Sequence, residues 1–167
     1  MDVSTERRSW ILLGVLLVAV VGVGAAGLVG LKRAHHRETC LWQLSRVGIA
    51  VQASDPLHLA GWDRVGTGRR FFLDVANWPG PPPFPIDPEW FCCPMVGAPL
   101  IGRIDYRGPA KDFRRMDRDD VLVADRPGNH GSGSGGNVLL RSGTVRNAPE
   151  ADPAWTRAVA TTTDREN

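Results

Sequence analysis

Three cysteines and one histidine are the residues of this chain best suited to chemistry: Cys40, the adjacent pair Cys92 and Cys93, and His130. Three cysteines fall short of a metal-binding quartet. In an oxidising compartment they read as one disulfide and one remaining thiol. Adjacent cysteines rarely bridge each other, because the small ring strains the peptide, so Cys92–Cys93 is a weaker choice than a bridge from Cys40 to one of the two. In a domain facing the cytoplasm the alternative is three reduced, buried cysteines. Successive strand residues point to opposite faces, so only one of the pair can face Cys40. Cys92 or Cys93 as nucleophile and His130 as base would suit a cysteine hydrolase. No oxyanion-hole motif accompanies them, and the chain reads as non-catalytic. His35 with His36, and Asp55 with His58, offer two metal ligands each, which fits a solvated polar surface better than a metal site. The glycine-rich Gly131 to Gly136 lacks the Gly-Lys-Ser/Thr ending of a phosphate loop, so nucleotide binding is not expected.

The element that must position these residues lies at the N-terminus. Trp10 to Leu31 contains no charged residue and no proline, and as a helix it spans roughly 30 Å, the thickness of a bilayer's hydrocarbon core. Arg7, Arg8, Lys32, Arg33 and Arg37 flank it, where cationic side chains reach headgroups. A core helix of this length would carry a polar stripe, and a signal peptide would have a shorter apolar core. The stretch therefore reads as a retained single-pass anchor in contact with membrane lipid. Gly22, Ala26 and Gly30 recur at every fourth position and form a ridge of small residues, the type that lets another membrane helix approach closely. The flanking cations are nearly balanced, so the positive-inside bias barely sets the orientation.

Past Lys32 nothing stops the helix. Leu41, Leu44, Val47 and Val51 give it one apolar face, and Ser54-Asp55-Pro56 ends it. Arg70 to Val75 and Leu100 to Tyr106 read as short strands, with Arg107-Gly108-Pro109 as a turn. Trp78 to Trp90 is a stiff proline-rich connection. Lys111 to Asp120 reads as a solvated loop of mixed charge. Val121 to Ala124 and Asn137 to Arg141 are the clearest strands, joined by a flexible loop and followed by Thr144 to Arg146. Trp155 packs back on the domain, and the polar end frays. The expected layout is a tail at 1–9, a transmembrane helix at 10–31, its amphipathic continuation at 32–54, a globular β domain at 55–160 and a flexible tail at 161–167. A net charge of +2 with interspersed signs gives no footprint for nucleic acid.

The order of these parts resembles type IV pilins and pseudopilins, in particular a bacterial subgroup with a C-terminal signature of His, nine residues and Asp-Gly. Cys40-Leu41-Trp42-Gln43-Leu44-Ser45-Arg46-Val47-Gly48 is similar to its Cys and Asn-Leu-Arg-Gln-Ile-Gly helix. Phe91-Cys92-Cys93-Pro94 resembles its Cys-Pro element, and Asp105 to Pro109 an intermediate segment. Val123-Ala124-Asp125, Asn129-His130-Gly131 and Gly136 to Val145 resemble the third element. Ser142 stands where the family has Asp, and His130 lies two residues too far from Ser142-Gly143. The prepilin cleavage signal is missing, so the mature chain is expected to keep Met1 or Asp2.

The resemblance implies an α+β, pilin-like fold, with the long helix packed on a small antiparallel sheet. It implies a non-catalytic structural or assembly subunit of a bacterial envelope, such as a type II secretion or pilus-like system. The domain would be periplasmic or otherwise extracytoplasmic, on an inner-membrane anchor, with other membrane helices or pilin-like subunits as partners. The alternative is a stand-alone membrane-tethered binding domain. By the Cys-Pro position, Cys93 is the expected disulfide partner of Cys40. Major pseudopilins bind calcium in a C-terminal loop; the corresponding oxygen donors here are Asp119, Asp120, Asp125 and Asn129. No other cofactor is expected.

Overall fold

The computed structural model describes residues 3–54, 65–77, 87–97, 100 and 102–165. It divides into two compact units, Met1–His35 and His36–Asn167. The expected Asp55-Pro56 stop, the Asp55 and His58 pair and most of the proline-rich connection lie outside the described residues.

Helix α1 runs Val3–Ser54. It begins before the expected Trp10 and takes in most of the presumed tail. Residues 3–9 hold neither proline nor glycine, so nothing in them stops the helix. In the first unit every side chain from Leu12 to Leu31 is exposed. Among the described residues this is the one helix long and apolar enough to cross a membrane.

In the second unit α1 carries Cys40, Leu44, Val47 and Val51, spaced by four, three and four residues and all buried. That spacing keeps them on one face, while Trp42, Arg46 and Ile49 stay exposed. They pack with Phe71, Phe72, Phe91, Tyr106, Leu122 and Leu139 in the main core. The sheet comprises β1 (Tyr106–Pro109), β2 (Val121–Asp125), β3 (Gly136–Leu140), β4 (Val145–Ala148) and β5 (Thr162–Thr163). Its order is β4-β3-β2-β1-β5, and every pairing is antiparallel. Neighbouring residues serve opposite faces: Val123 and Leu139 join the main core, whereas Ala124 and Val138 join a second cluster with Trp155 and Ala158. The α+β expectation thus holds, with a long N-terminal helix on a small antiparallel sheet.

Arg69–Ala76 forms helix α2, where a strand was expected. Its apolar run is too short to show a period, and the tertiary context decides. The helix buries Phe71, Phe72 and Val75 on one side. Arg70 Nε pairs with Asp74 at 2.7 Å, one turn on, and Asp74 also accepts from the Gly66 amide at 2.9 Å.

Strand β1 starts only at Tyr106 and includes the Arg107-Gly108-Pro109 segment expected as a turn. The mixed-charge segment is partly ordered, because a 3-10 turn at Phe113–Arg115 buries Phe113 and Met116 follows it into the core. Helix α3 (Pro153–Thr161) starts with Asp152 accepting from the Ala154 amide at 2.7 Å and Pro153 in the first turn. Instead of fraying, the chain after α3 adds β5 beside β1, with Gly108 opposite Thr163.

Candidate functional site

Four buried side chains from four separate segments converge in the second unit: Cys40, Cys93, Asp125 and His130. Their ligand atoms all lie within 4.8 Å of one another. Cys40 sits on the core face of α1, one turn before Leu44. Cys93 follows the 3-10 turn Pro88–Phe91, and its amide donates to Asp105 Oδ2 at 2.8 Å. Arg103 Nε holds the same carboxylate oxygen at 2.8 Å. Asp125 ends β2, paired in register with Tyr106, and its Oδ2 accepts from the Asn137 amide at 2.6 Å.

His130 lies in the β2–β3 connection, whose glycines and serines suit a flexible hairpin loop. The connection is pinned instead: Asn129 Nδ2 donates to the Asp105 carbonyl at 2.7 Å, and Arg37 Nη2 donates to Ser134 Oγ at 3.2 Å and to the His130 carbonyl at 3.4 Å. These bonds turn the imidazole inward, where the residue is only 5% exposed.

Three of the expected site residues meet here, Asp125 from the calcium set and both members of the expected disulfide. The sulfurs of Cys40 and Cys93, the expected disulfide pair, are 2.6 Å apart and both are thiols. Cys92 stays outside the cluster and directs its thiol to the Arg103 carbonyl at 3.3 Å. His130 Nε2 lies 3.3 Å from Asp125 Oδ2 without hydrogen-bond alignment. Both His130 Nε2 and Asp125 Oδ1 are buried with no hydrogen-bond partner.

The electrostatics follow from this crowding. Cys93 is lowered to about 5 because the Cys40 thiol donates to it, with His130 helping against the opposing effect of burial. Cys40 is pushed up by holding that hydrogen bond and by burial. Burial raises Asp125 to about 7, although His130 and the Asn137 amide pull it down. Burial alone would lower His130; its hydrogen bond with Cys93 and the charge of Asp125 outweigh that and raise it. Tyr106, whose hydroxyl donates to Gln43 Oε1 at 3.1 Å, is raised by burial and by neighbouring Cys40.

The calcium candidates do not assemble. Asp119 and Asp120 precede β2 and Asp125 ends it. Asp119 is exposed, Asp120 pairs with Lys111 Nζ at 2.5 Å, and the Asn129 amide group is bound to Asp105. Asp125 is instead drawn into the cysteine cluster, because its side chain points into the core at the Tyr106 register. The Gly22, Ala26 and Gly30 ridge is exposed, and a Cβ at Gly22 or Gly30 would touch nothing within 4 Å.

The combination is not legible in the sequence: His130 with a cysteine suggests only a hydrolase pair, and Asp125 stands beside other acids before a glycine-rich loop. A cysteine on an apolar helix face and a Cys-Pro turn were the available signals. What joins them to Asp125 and His130 is sheet register, which no spacing displays. No family model, curated protein or solved structure matches the chain.

Proposed function

We propose that this chain is a membrane-anchored, pilin-like structural or assembly subunit of a bacterial envelope or secretion system, with its domain outside the cytoplasm. The observation that carries the reading is α1 itself. One helix has an exposed apolar stretch of bilayer length and then supplies the core residues Leu44, Val47 and Val51 of an antiparallel β domain. A helix with that division of labour ties a folded domain to lipid. The burial of Cys93 and His130 supports a non-catalytic role, because a nucleophile and base sealed from solvent have no route to substrate. Contacts would then come from the small-residue ridge and from β4, an outer strand of the sheet.

Single cysteines introduced at Gly22 and Ala26 test the proposal by cross-linking in intact membranes. Ladders of oligomers are expected. Monomers alone would favour the alternative, a stand-alone tethered binding domain. A compartment-sensitive reporter fused after Asn167 checks the orientation, and activity in the cytoplasm would overturn the extracytoplasmic placement.

A further inference from the structure

The core cluster has a use that neither anchoring nor assembly requires. We propose that Cys40, Cys93, Asp125 and His130 form a structural zinc site. The inference is independent of which way the domain faces and of whether it assembles.

The donor set is the first argument. Two thiols, an imidazole and a carboxylate are the ligand types zinc takes, in the number a closed tetrahedral site needs. All four are buried, and all their ligand atoms fall within 4.8 Å of one another, close enough for small side-chain shifts to close them on one ion.

Unpaired atoms give the second argument. Asp125 Oδ1 and His130 Nε2 belong to side chains of the cluster, and neither atom has a hydrogen-bond partner. Asp125 is fully buried, and among the described residues its one ion-pair partner is His130. A carboxylate oxygen and an imidazole nitrogen buried without hydrogen bonds beside two sulfurs are donors that one divalent ion can take together.

A disulfide between Cys40 and Cys93 is the competing use of the same sulfurs. Zinc holds two thiolates about 3.8 Å apart, from bonds of about 2.3 Å, whereas a disulfide holds them at about 2.0 Å. The observed 2.6 Å lies nearer the disulfide value, so zinc requires the two sulfurs to move apart, and it is the other two side chains that argue for the ion. A disulfide leaves Asp125 Oδ1 and His130 Nε2 buried without a hydrogen bond. Zinc uses every donor present and ties α1, the Cys-Pro turn, the end of β2 and the β2–β3 connection at one point.

The test uses the full chain purified in detergent without chelator or reductant. Elemental analysis should give one zinc per chain, and intact mass under denaturing conditions should show three free thiols. Cobalt exchanged into the protein should produce thiolate-to-cobalt charge-transfer absorption and tetrahedral ligand-field bands. His130→Ala should weaken zinc binding by more than the roughly 10–100-fold that loss of an outer-shell partner costs. Cys92→Ser should keep full zinc and the cobalt spectrum. A chain without metal, short of two hydrogens and with a single alkylatable thiol at Cys92, would overturn the proposal in favour of the disulfide. Three free thiols that bind neither zinc nor cobalt would overturn it as well. Both readings come from the wild-type chain, so a variant that fails to fold leaves the test intact.

Discussion

Arg107 closes the end of α3 through Thr162. From β1 its guanidinium donates to the Thr162 hydroxyl at 3.2 Å and carbonyl at 2.5 Å, and to the Val159 carbonyl at 3.1 Å. Those carbonyls belong to the C-terminal end of a helix, where a cation also complements the dipole. Replacing Arg107 with Met keeps most of the apolar stem and removes the donors. The loss should be about 2 kcal/mol, the scale of charge-assisted hydrogen bonds. Thermal unfolding of the full chain in detergent measures it, and proteolysis should reach residues 162–165 sooner than in the wild type. An unchanged melting temperature would show that the clamp contributes nothing.

Gly68 and Gly108 allow α2 to meet the sheet. A Cβ on Gly108 would stand 2.1 Å from the Gly68 carbonyl oxygen, and Gly68 itself has φ +57. The obstruction is backbone, so no rotamer can relieve it. Gly108→Ala should therefore destabilise by about 1–3 kcal/mol, the usual range for overpacking. Gly102→Ala is the contrasting variant, since its Cβ would meet nothing within 4 Å although its φ is +77. Only backbone strain then remains, and a smaller drop in melting temperature is expected. Equal drops would refute the steric account.

The core half of α1 should be among the last segments to open. Leu44 is fully buried against the main cluster, so Leu44→Ala should cost about 2–5 kcal/mol. Proline in place of Trp42 removes a helical hydrogen bond without touching that core and should cost about 3 kcal/mol or more. Hydrogen exchange checks both variants: amides around Leu44 should be slow in the wild type and fast in each. Fast exchange there in the wild-type chain would contradict the packing described.

A modest acid limb should trace to Lys111 and Asp120. Lys111, and then the Asp117 amide, hold the Asp120 carboxyl below its usual range. Because the folded value is depressed, the stabilisation is complete above the unfolded value of about 4 and is lost as pH falls through the lowered folded value. Both side chains are partly exposed, at 47% and 29%, so the contribution is at most about 1 kcal/mol. Lys111→Met should flatten stability against pH in that window, lowering it by up to that amount near neutrality and leaving it unchanged below the window.

Legibility in the sequence divides by how local the determining physics is. The core stripe of α1 can be read because Leu44, Val47 and Val51 recur at the helix's own period and no proline intervenes. β2 and β3 can be read because Val121 to Ala124 and Val138 to Leu140 are apolar runs bounded by turn-forming residues. The Phe71-Phe72-Leu73 run defeats the same logic. Three apolar residues in a row have no period, and aromatic residues favour strands until packing decides otherwise. β5 was invisible because two threonines become a strand only through the β1 edge beside them. The cluster was half legible. Cys40 and Cys93 came from a family resemblance, but Asp125 was grouped with surface acids because its burial follows from pairing opposite Tyr106.

The span of the cluster along the chain also bears on when the domain becomes native. Cys40 and Cys93 are 53 positions apart, and the Arg37 contacts with His130 and Ser134 span 93 and 97. β2, β3 and β4 need only their immediate neighbours, so they can pair early, whereas these long loops close late and slowly. Leu44, Val47 and Val51 therefore lack their full cover until the chain has reached Leu139 on β3. Until then it presents a greasy stripe to anything nearby, which makes the interval before sheet completion the time when this chain most needs a holdase.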